Sequence, residues 1–240
     1  MTYQTIVTAA APTKDSFLGA GFPSTRNLMN VNNLPLLLRA INSAESSGGP
    51  VTVVLNGDEE LTEFSASETL NKLAPHARIV LASTAAKGAL VSALLGAENL
   101  DPDQALLICP GDAYLTNRFE SHLTSNASDL DGFTLAFRSE NPRWSFLALN
   151  SEGEISEVAE KRIIGPLATT GHFYFKKASD FIEASKWVLV NNAHVKDNFY
   201  VSTALNYLVS KGMNLGYAEI PRSEYFSFSK PHDFIQQETR

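Results

Sequence analysis

Short apolar runs alternate with amphipathic stretches through the first half of the chain, and the runs have strand length. Thr5-Ile6-Val7-Thr8-Ala9-Ala10 is compact and rich in β-branched and small residues, which suits a central strand covered on both faces. Val51 to Leu55 and Arg78 to Ala82 read as the second and third strands, and Ala105-Leu106-Leu107-Ile108 as a further buried one. Helical spacing lies between them. One helix opens at Asn33-Leu34-Pro35, with Asn33 as cap, Pro35 in the first turn and Leu36, Leu37 and Ala40 on the buried face. A second covers Ser65 to Leu73, with Ser65 and Glu68 at capping-box spacing, and an amphipathic third covers Ala89 to Leu100. Strands alternating with helices imply a largely parallel sheet with right-handed crossovers, a doubly wound nucleotide-fold pattern.

After residue 112 the pattern becomes more β-rich and antiparallel. Gly132 to Phe137, Trp144 to Leu149 and Ile155 to Glu160 read as strands, the last two joined by a turn at Asn150 to Glu154. Thr170 to Phe175 is a further strand, with Phe173 and Phe175 on one face and His172 and Tyr174 on the other. Helices Ala178 to Val190 and Val201 to Ser210 cover this half, and Leu215 to Ile220 adds a strand. No repeat, linker or low-complexity tract divides the chain, so residues 1–240 are expected to form a single domain, with halves at 1–126 and 127–240.

Composition narrows the functional classes. A hydrophobic share of 44% and a charged share of 19% are those of a globular protein. The net charge of −7 argues against a nucleic-acid partner, so an anionic ligand has to be held by a few placed cations. Cys109 is the only cysteine, which excludes an internal disulfide framework and thiolate-rich zinc sites. The amino terminus lacks the features of a signal peptide and no run is long enough to span a membrane, so a cytoplasmic location is expected. Rossmann and P-loop glycine patterns and a serine nucleophile elbow are absent, and the five histidines lack ligand spacing.

Candidate chemistry gathers at strand ends. Asp112, in Cys109-Pro110-Gly111-Asp112, follows a buried strand and falls in the crevice where α/β sheets bind ligands. A metal ligand and the cap of a helix begun by Ala113-Tyr114-Leu115-Thr116 are both open to it. The loop from Ala11 to Met29, with Lys14 and Arg26 as its cations, is of a length found in functional or disordered segments, and its place after the first strand favours function. Ser83-Thr84-Ala85-Ala86-Lys87-Gly88 is either a plain turn into a helix or a close backbone approach to a flat ligand.

Taken in order, these stretches resemble the sugar-phosphate nucleotidyltransferase family. The resemblance rests on Ala9-Ala10-Ala11, Ala20-Gly21-Phe22, Arg26 to Val31 and Pro35, then Lys87-Gly88, Pro110-Gly111-Asp112, Glu160-Lys161 and Ala168 to Phe175. It implies an α/β/α sandwich with a mixed, mainly parallel central sheet, of the nucleotide-diphospho-sugar transferase type. It also implies a nucleoside triphosphate and a sugar phosphate or related phosphomonoester as substrates, pyrophosphate as product, Mg²⁺ as cofactor and a place in polysaccharide synthesis. Arg26, Asp112 and Lys161 become the implied catalytic residues, with Asp112 on the metal. Ala9, Ala10, Ala11, Lys14, Thr84, Lys87, Gly88 and Gly111 fall to the nucleotide, and Glu160, Lys161, Thr170 and Gly171 to the acceptor.

Departures cluster at the phosphates. Ala11, Pro12 and Thr13 stand where the family has glycines, and Asp15 or Ser16 stands near its arginine, leaving Lys14 as substitute. Arg26 stands where the family has a lysine, and Ser227 where it has a second metal carboxylate. A nucleotide-sugar-binding protein without turnover, or a partner subunit of an active homologue, is therefore the alternative. A glycosyltransferase would want Asp-x-Asp, and Asp101-Pro102-Asp103 precedes its strand. A homo-oligomer is compatible with the sequence, and the base and the acceptor stay open.

Overall fold

The computed structural model describes residues 2–22, 25–62, 65–83, 85–123 and 129–238. Strand β1 (Gln4–Ala9) leads to a short helix α1 (Asp15–Gly19), a ribbon of β2 (Asn30–Val31) and β3 (Leu34–Pro35), and helix α2 (Leu36–Ala44). Strand β4 (Val51–Asn56), helix α3 (Ser67–Leu73), strand β5 (Ala77–Ala82), helix α4 (Ala89–Gly96) and strand β6 (Leu106–Pro110) follow. These strands lie parallel in the order β6-β1-β4-β5. Alternate residues of β1 serve two cores. Val7 packs with Leu37, Ile41 and Leu107 on the α2 face, and Ile6 with Leu90, Ala93 and Ile108 on the α4 face. Burying each such branched side chain contributes about 1.5–3 kcal/mol, so β1 anchors both layers.

The second half continues the same sheet. Strand β7 (Ala113–Leu115) is followed by β8 (Gly132–Arg138), β9 (Ser145–Leu149), β10 (Ile155–Glu160) and the long β11 (Leu167–Phe175). Helices α5 (Ala178–Val190) and α6 (Val201–Ser210) precede strand β12 (Leu215–Glu219), strand β13 (Tyr225–Ser227) and helix α7 (Pro231–Glu238). Among the described residues the central sheet has nine strands, with β11 antiparallel to β6, β8 and β9. The α/β/α architecture and its mixed, mainly parallel sheet are as expected. No helix among the described residues is long and apolar enough to cross a membrane.

One irregularity opens the site. The start of β11 pairs with β9 through Leu167 and Ala168, whereas its end pairs with β6 through Phe173 to Phe175. Between them the register against β8 shifts and Gly171 takes a φ of +81°, a value that glycine adopts without steric cost. The sheet is thereby parted beside the carboxyl end of β6.

Four local expectations are corrected by long-range contacts. Asn33 does not cap α2; it sits at φ +65° in the β2–β3 turn, and Pro35 takes the cap position. The capping box at Ser65 and Glu68 does not form. Instead Glu60 accepts the Ala66 and Ser67 N–H groups at 2.7 and 3.1 Å, and Glu68 turns out to Lys72. Helix α4 ends at Gly96, short of Leu100. Ala113 to Leu115 begins no helix, because β13 returns from the far end of the chain to pair with it.

Candidate active site

A cleft runs across the carboxyl ends of β1 and β6. Its larger cavity, about 490 Å³, is lined by Lys14, Pro110, Asp112, Glu160, Lys161, Thr170, Gly171 and Ser227, and also by Arg143, Trp144, Tyr200, Tyr225 and Lys230. A smaller one, about 310 Å³, is lined by Ala10, Ala11, Pro12, Lys87, Gly88 and Asn198. Thr8 and Ala89 belong to both walls, so the two are compartments of one cleft. This is the crevice in which open α/β sheets take ligands.

Asp112 lines the larger compartment. Its Oδ2 lies 3.3 Å from Arg26 Nη1, and its carbonyl accepts the Phe228 N–H at 2.8 Å. The helix-cap reading falls, since β7 follows directly. Arg26 does not line either compartment: it is 5% exposed and lies behind Asp112, with Nε unpartnered among the described residues. The β7–β13 pairing sets Ser227 opposite Ala113, on the same wall as Asp112. Ser227 also shares a hydrogen bond with the Tyr225 hydroxyl, which burial, helped by the Asp112 charge, holds above the ordinary tyrosine range.

Glu160 and Lys161 form the opposite wall. Glu160 Oε2 accepts hydrogen bonds from the Ser145 hydroxyl and, at 2.8 Å, from the Ser202 hydroxyl; among the described residues Oε1 is left to the cavity. Lys161 adopts φ +54°, an uncommon conformation for a residue with a side chain. Its N–H is held by the Trp144 carbonyl at 2.9 Å, and its ammonium donates to the Tyr200 hydroxyl while lying 4.4 Å from that ring's centroid. Strained backbone of this kind recurs at functional positions.

The smaller compartment is backbone-walled. Ala10 and Ala11 border it on one side, Lys87 and Gly88 on the other. The segment before α6 clamps this second side, with Phe199 N–H on the Lys87 carbonyl at 3.0 Å and Leu90 N–H on the Phe199 carbonyl at 3.1 Å. Ala9 and Gly111, expected at the nucleotide, line neither compartment: the Ala9 carbonyl accepts from Asn27, and the Gly111 N–H donates to the Thr8 carbonyl. Thr84 lies outside the described residues. In the loop after β1, Glu59 accepts the Thr13 N–H at 2.5 Å and the Thr25 hydroxyl at 3.1 Å. A carboxylate thus engages an N–H of the loop after β1.

No protein-family model matches the chain, and no curated protein matches it in sequence. Solved structures do match over nearly its whole length. A nucleoside-diphosphate-sugar pyrophosphorylase from Vibrio cholerae RC9 superposes with TM-score 0.81 at 19% identity, over 98% of this chain and 100% of the other. The fold is that of sugar-phosphate nucleotidyltransferases. The inositol-1-phosphate CTP transferase from T. maritima follows with TM-score 0.75 at 16% identity, over 99% and 94% of the two chains. A Bacillus anthracis protein described as a glucose-1-phosphate thymidylyltransferase, solved with a sucrose, gives 0.73 at 11% identity, over 98% and 94%.

On this fold several cleft residues escape sequence reasoning. Ser145 and Ser202 look like ordinary polar positions in a strand and a helix, and only the fold brings both hydroxyls to Glu160. Arg143, Tyr200, Tyr225 and Lys230 carry no motif of their own. A Trp-flanked cation before a strand was the one available signal, at Arg143-Trp144.

Thr170 has its hydroxyl committed to His172, whose Nδ1 lies 3.1 Å away. His172 is fully buried, stacked on Phe119 at 6.0 Å, and burial lowers its pKa to about 4. The unfolded state, titrating near 6.5, therefore binds the extra proton first as pH falls. The associated stability is present above pH 6.5 and is lost between there and pH 4, up to about 3 kcal/mol. Thermal melts across this range are expected to show a shallower acid slope for His172→Gln than for the wild type. Identical slopes would remove His172 from the account.

Proposed function

We propose that this chain is a nucleotidyltransferase joining a nucleoside triphosphate to a sugar phosphate or related phosphomonoester, with release of pyrophosphate. The observation that carries the reading is the single cleft shared by Asp112, Lys14 and Glu160-Lys161, on a fold whose solved neighbours bear transferase and pyrophosphorylase names. A phosphate oxygen of the acceptor attacks the α-phosphorus. The bond from that phosphorus to the bridging oxygen breaks, and its electron pair leaves with pyrophosphate. Such a transfer asks the protein for alignment and positive charge rather than covalent help.

In this reading residues 1–126 hold the nucleotide and 127–240 the acceptor. The backbone around Ala10, Ala11 and Gly88 accommodates the base, while Lys14 neutralises the departing phosphates. Lys161 holds the acceptor's phosphate, and Glu160, with Oε2 already committed, offers Oε1 to a sugar hydroxyl. Arg26, buried behind Asp112, is a positioning residue that fixes the carboxylate through their 3.3 Å contact. The Asp112 carboxylate and Ser227 hydroxyl are hard oxygen donors of the kind Mg²⁺ accepts together with substrate phosphates. No cluster of three potential ligands exists among the described residues, so the ion would arrive with the nucleotide and supply charge neutralisation. The need for nucleoside triphosphate makes the cytoplasm the proposed location.

The deciding assay is pyrophosphate release with Mg²⁺ across the common nucleoside triphosphates, each paired with a pool of phosphomonoesters. Release requiring both substrates is expected. The Glu59 engagement of Thr13 and the serine at position 227 favour one rival, a nucleotide-sugar binder without turnover. That rival predicts no release, yet a melting temperature raised by nucleotide or nucleotide sugar.

A further inference from the structure

The larger compartment contains a charged group that the proposed reaction leaves unused. Arg143 lies just before β9, with its guanidinium carbon 4.0 Å from the centroid of the Trp144 ring. Its N–H is held by Asn141 Oδ1 at 3.1 Å, which fixes the turn. Trp144 is wedged edge-on against Phe137 at 5.5 Å and Tyr225 at 5.7 Å, so the stack has a rigid base. Among the described residues no carboxylate lies within 4 Å of Arg143, and its Nε is buried without a partner. Its charged neighbour is another cation, Arg222, which packs over Phe137 and Tyr225. Burial, with the Arg143 charge adding to it, holds Arg222 below the usual arginine range.

Position relates this cation to the acceptor wall. Ser145 pairs with Glu160 across the antiparallel β9–β10 ladder, and the Trp144 carbonyl takes the Lys161 N–H. Arg143, just before β9, and Lys161, just after β10, are therefore rooted at the same end of that ladder, beyond the Ser145–Glu160 pair, each laid on an aromatic ring. Two cations that make no ion pair among the described residues, set next to each other and to one carboxylate, suit a ligand that carries two anionic groups as well as hydroxyls. A stacked guanidinium presents a planar fork that matches a carboxylate or a phosphate.

Resting on the proposed transferase reading, we infer that the acceptor carries a second anionic group besides the phosphate that reacts, and that Arg143 binds it. The ligand class is a phosphorylated sugar acid or a sugar bisphosphate. A neutral sugar phosphate leaves the Arg143 fork without a counter-charge.

Matched probes test this by calorimetric binding to the full chain without nucleotide. Glucose 1-phosphate is compared with glucuronic acid 1-phosphate, which differs by a carboxylate, and with glucose 1,6-bisphosphate, which differs by a phosphate. At least one acidic probe is expected to bind about tenfold tighter than the neutral one, as one charge-assisted hydrogen-bond pair allows. Whichever acidic arm wins names the group. Arg143→Met should erase the preference, and Arg143→Lys should restore it in part, with both variants checked for an unchanged melting profile. Equal binding of neutral and acidic probes, absence of acidic-probe binding, or a preference that persists in Arg143→Met overturns the inference. So does a loss confined to inorganic pyrophosphate, which would give Arg143 to the nucleotide. Pyrophosphate release with a neutral acceptor and no binding preference leaves the transferase standing without this inference. Arg143-dependent binding of an acidic probe without any release leaves the inference standing and removes turnover.

Discussion

Asp112→Asn is expected to lower nucleotide-dependent pyrophosphate release by about 10³-fold, the scale seen when one preorganised electrostatic group is removed from a phosphoryl- or acyl-transfer site. The substitution keeps shape and removes charge. Asp112 lines the larger compartment beside Ser227, and among the described residues the other acidic group in the lining is Glu160, whose Oε2 is held by Ser145 and Ser202. Arg26, at 5% exposure, loses its counter-charge in this variant. Breaking a fully buried pair costs roughly 3–5 kcal/mol, but the Asp112 side chain is 27% exposed and water can replace it in part. A stability loss of about 1–2 kcal/mol, or roughly 2–8 °C in melting temperature for a chain this size, is therefore expected, and the protein stays folded. Arg26→Met separates the roles. Since Arg26 acts through Asp112, its loss should reduce the maximal rate with little change in nucleotide affinity. Undiminished release by a folded Asp112→Asn protein would take Asp112 out of the chemistry.

Gly88→Ala is expected to destabilise the chain by about 3 kcal/mol and to abolish the nucleotide-induced rise in melting temperature. Gly88 has φ +97° and ψ 169°, a backbone region that is nearly exclusive to glycine. A Cβ there would come 2.3 Å from the Phe199 carbonyl oxygen and 2.7 Å from the Phe199 nitrogen. Both are backbone atoms that clamp Lys87 and Leu90, so no side chain can swing aside. Relief requires the loop before α4 to move away from α6, which deforms the smaller compartment. Gly19→Ala is the control, because a Cβ at Gly19 meets nothing within 4 Å. Wild-type melting by Gly88→Ala, with the ligand response intact, would refute the role given to this close approach.

Much of the architecture is legible locally. The runs at Thr5 to Ala10, Val51 to Leu55 and Arg78 to Ala82 sit where β1, β4 and β5 form, because strand-length apolar runs are written into a few consecutive residues, those of β1 and β4 being buried on both faces and that of the edge strand β5 only in part. The end of β6 announced Asp112, and the aromatic alternation in β11 announced its two faces: Phe173 and Phe175 enter one core and Tyr174 the other. Local propensity lost wherever a distant group offered the backbone a better partner. Glu60 displaced the capping box, and β13 drew Ala113 to Leu115 out of a helix and into a strand. The chemistry of the cleft depended on such distant partners most of all. By itself the sequence determined the order of strands and helices, the crevice at the end of β6 and the identity of Asp112 and Lys161 as candidates. Only the tertiary structure decided that Arg26 stands behind Asp112, that Ser145 and Ser202 share Glu160, and that Arg143 lines the same cavity as Glu160 and Lys161. The physical reason is that charge pairing and burial are set between residues far apart in the chain, whereas periodicity is set between neighbours.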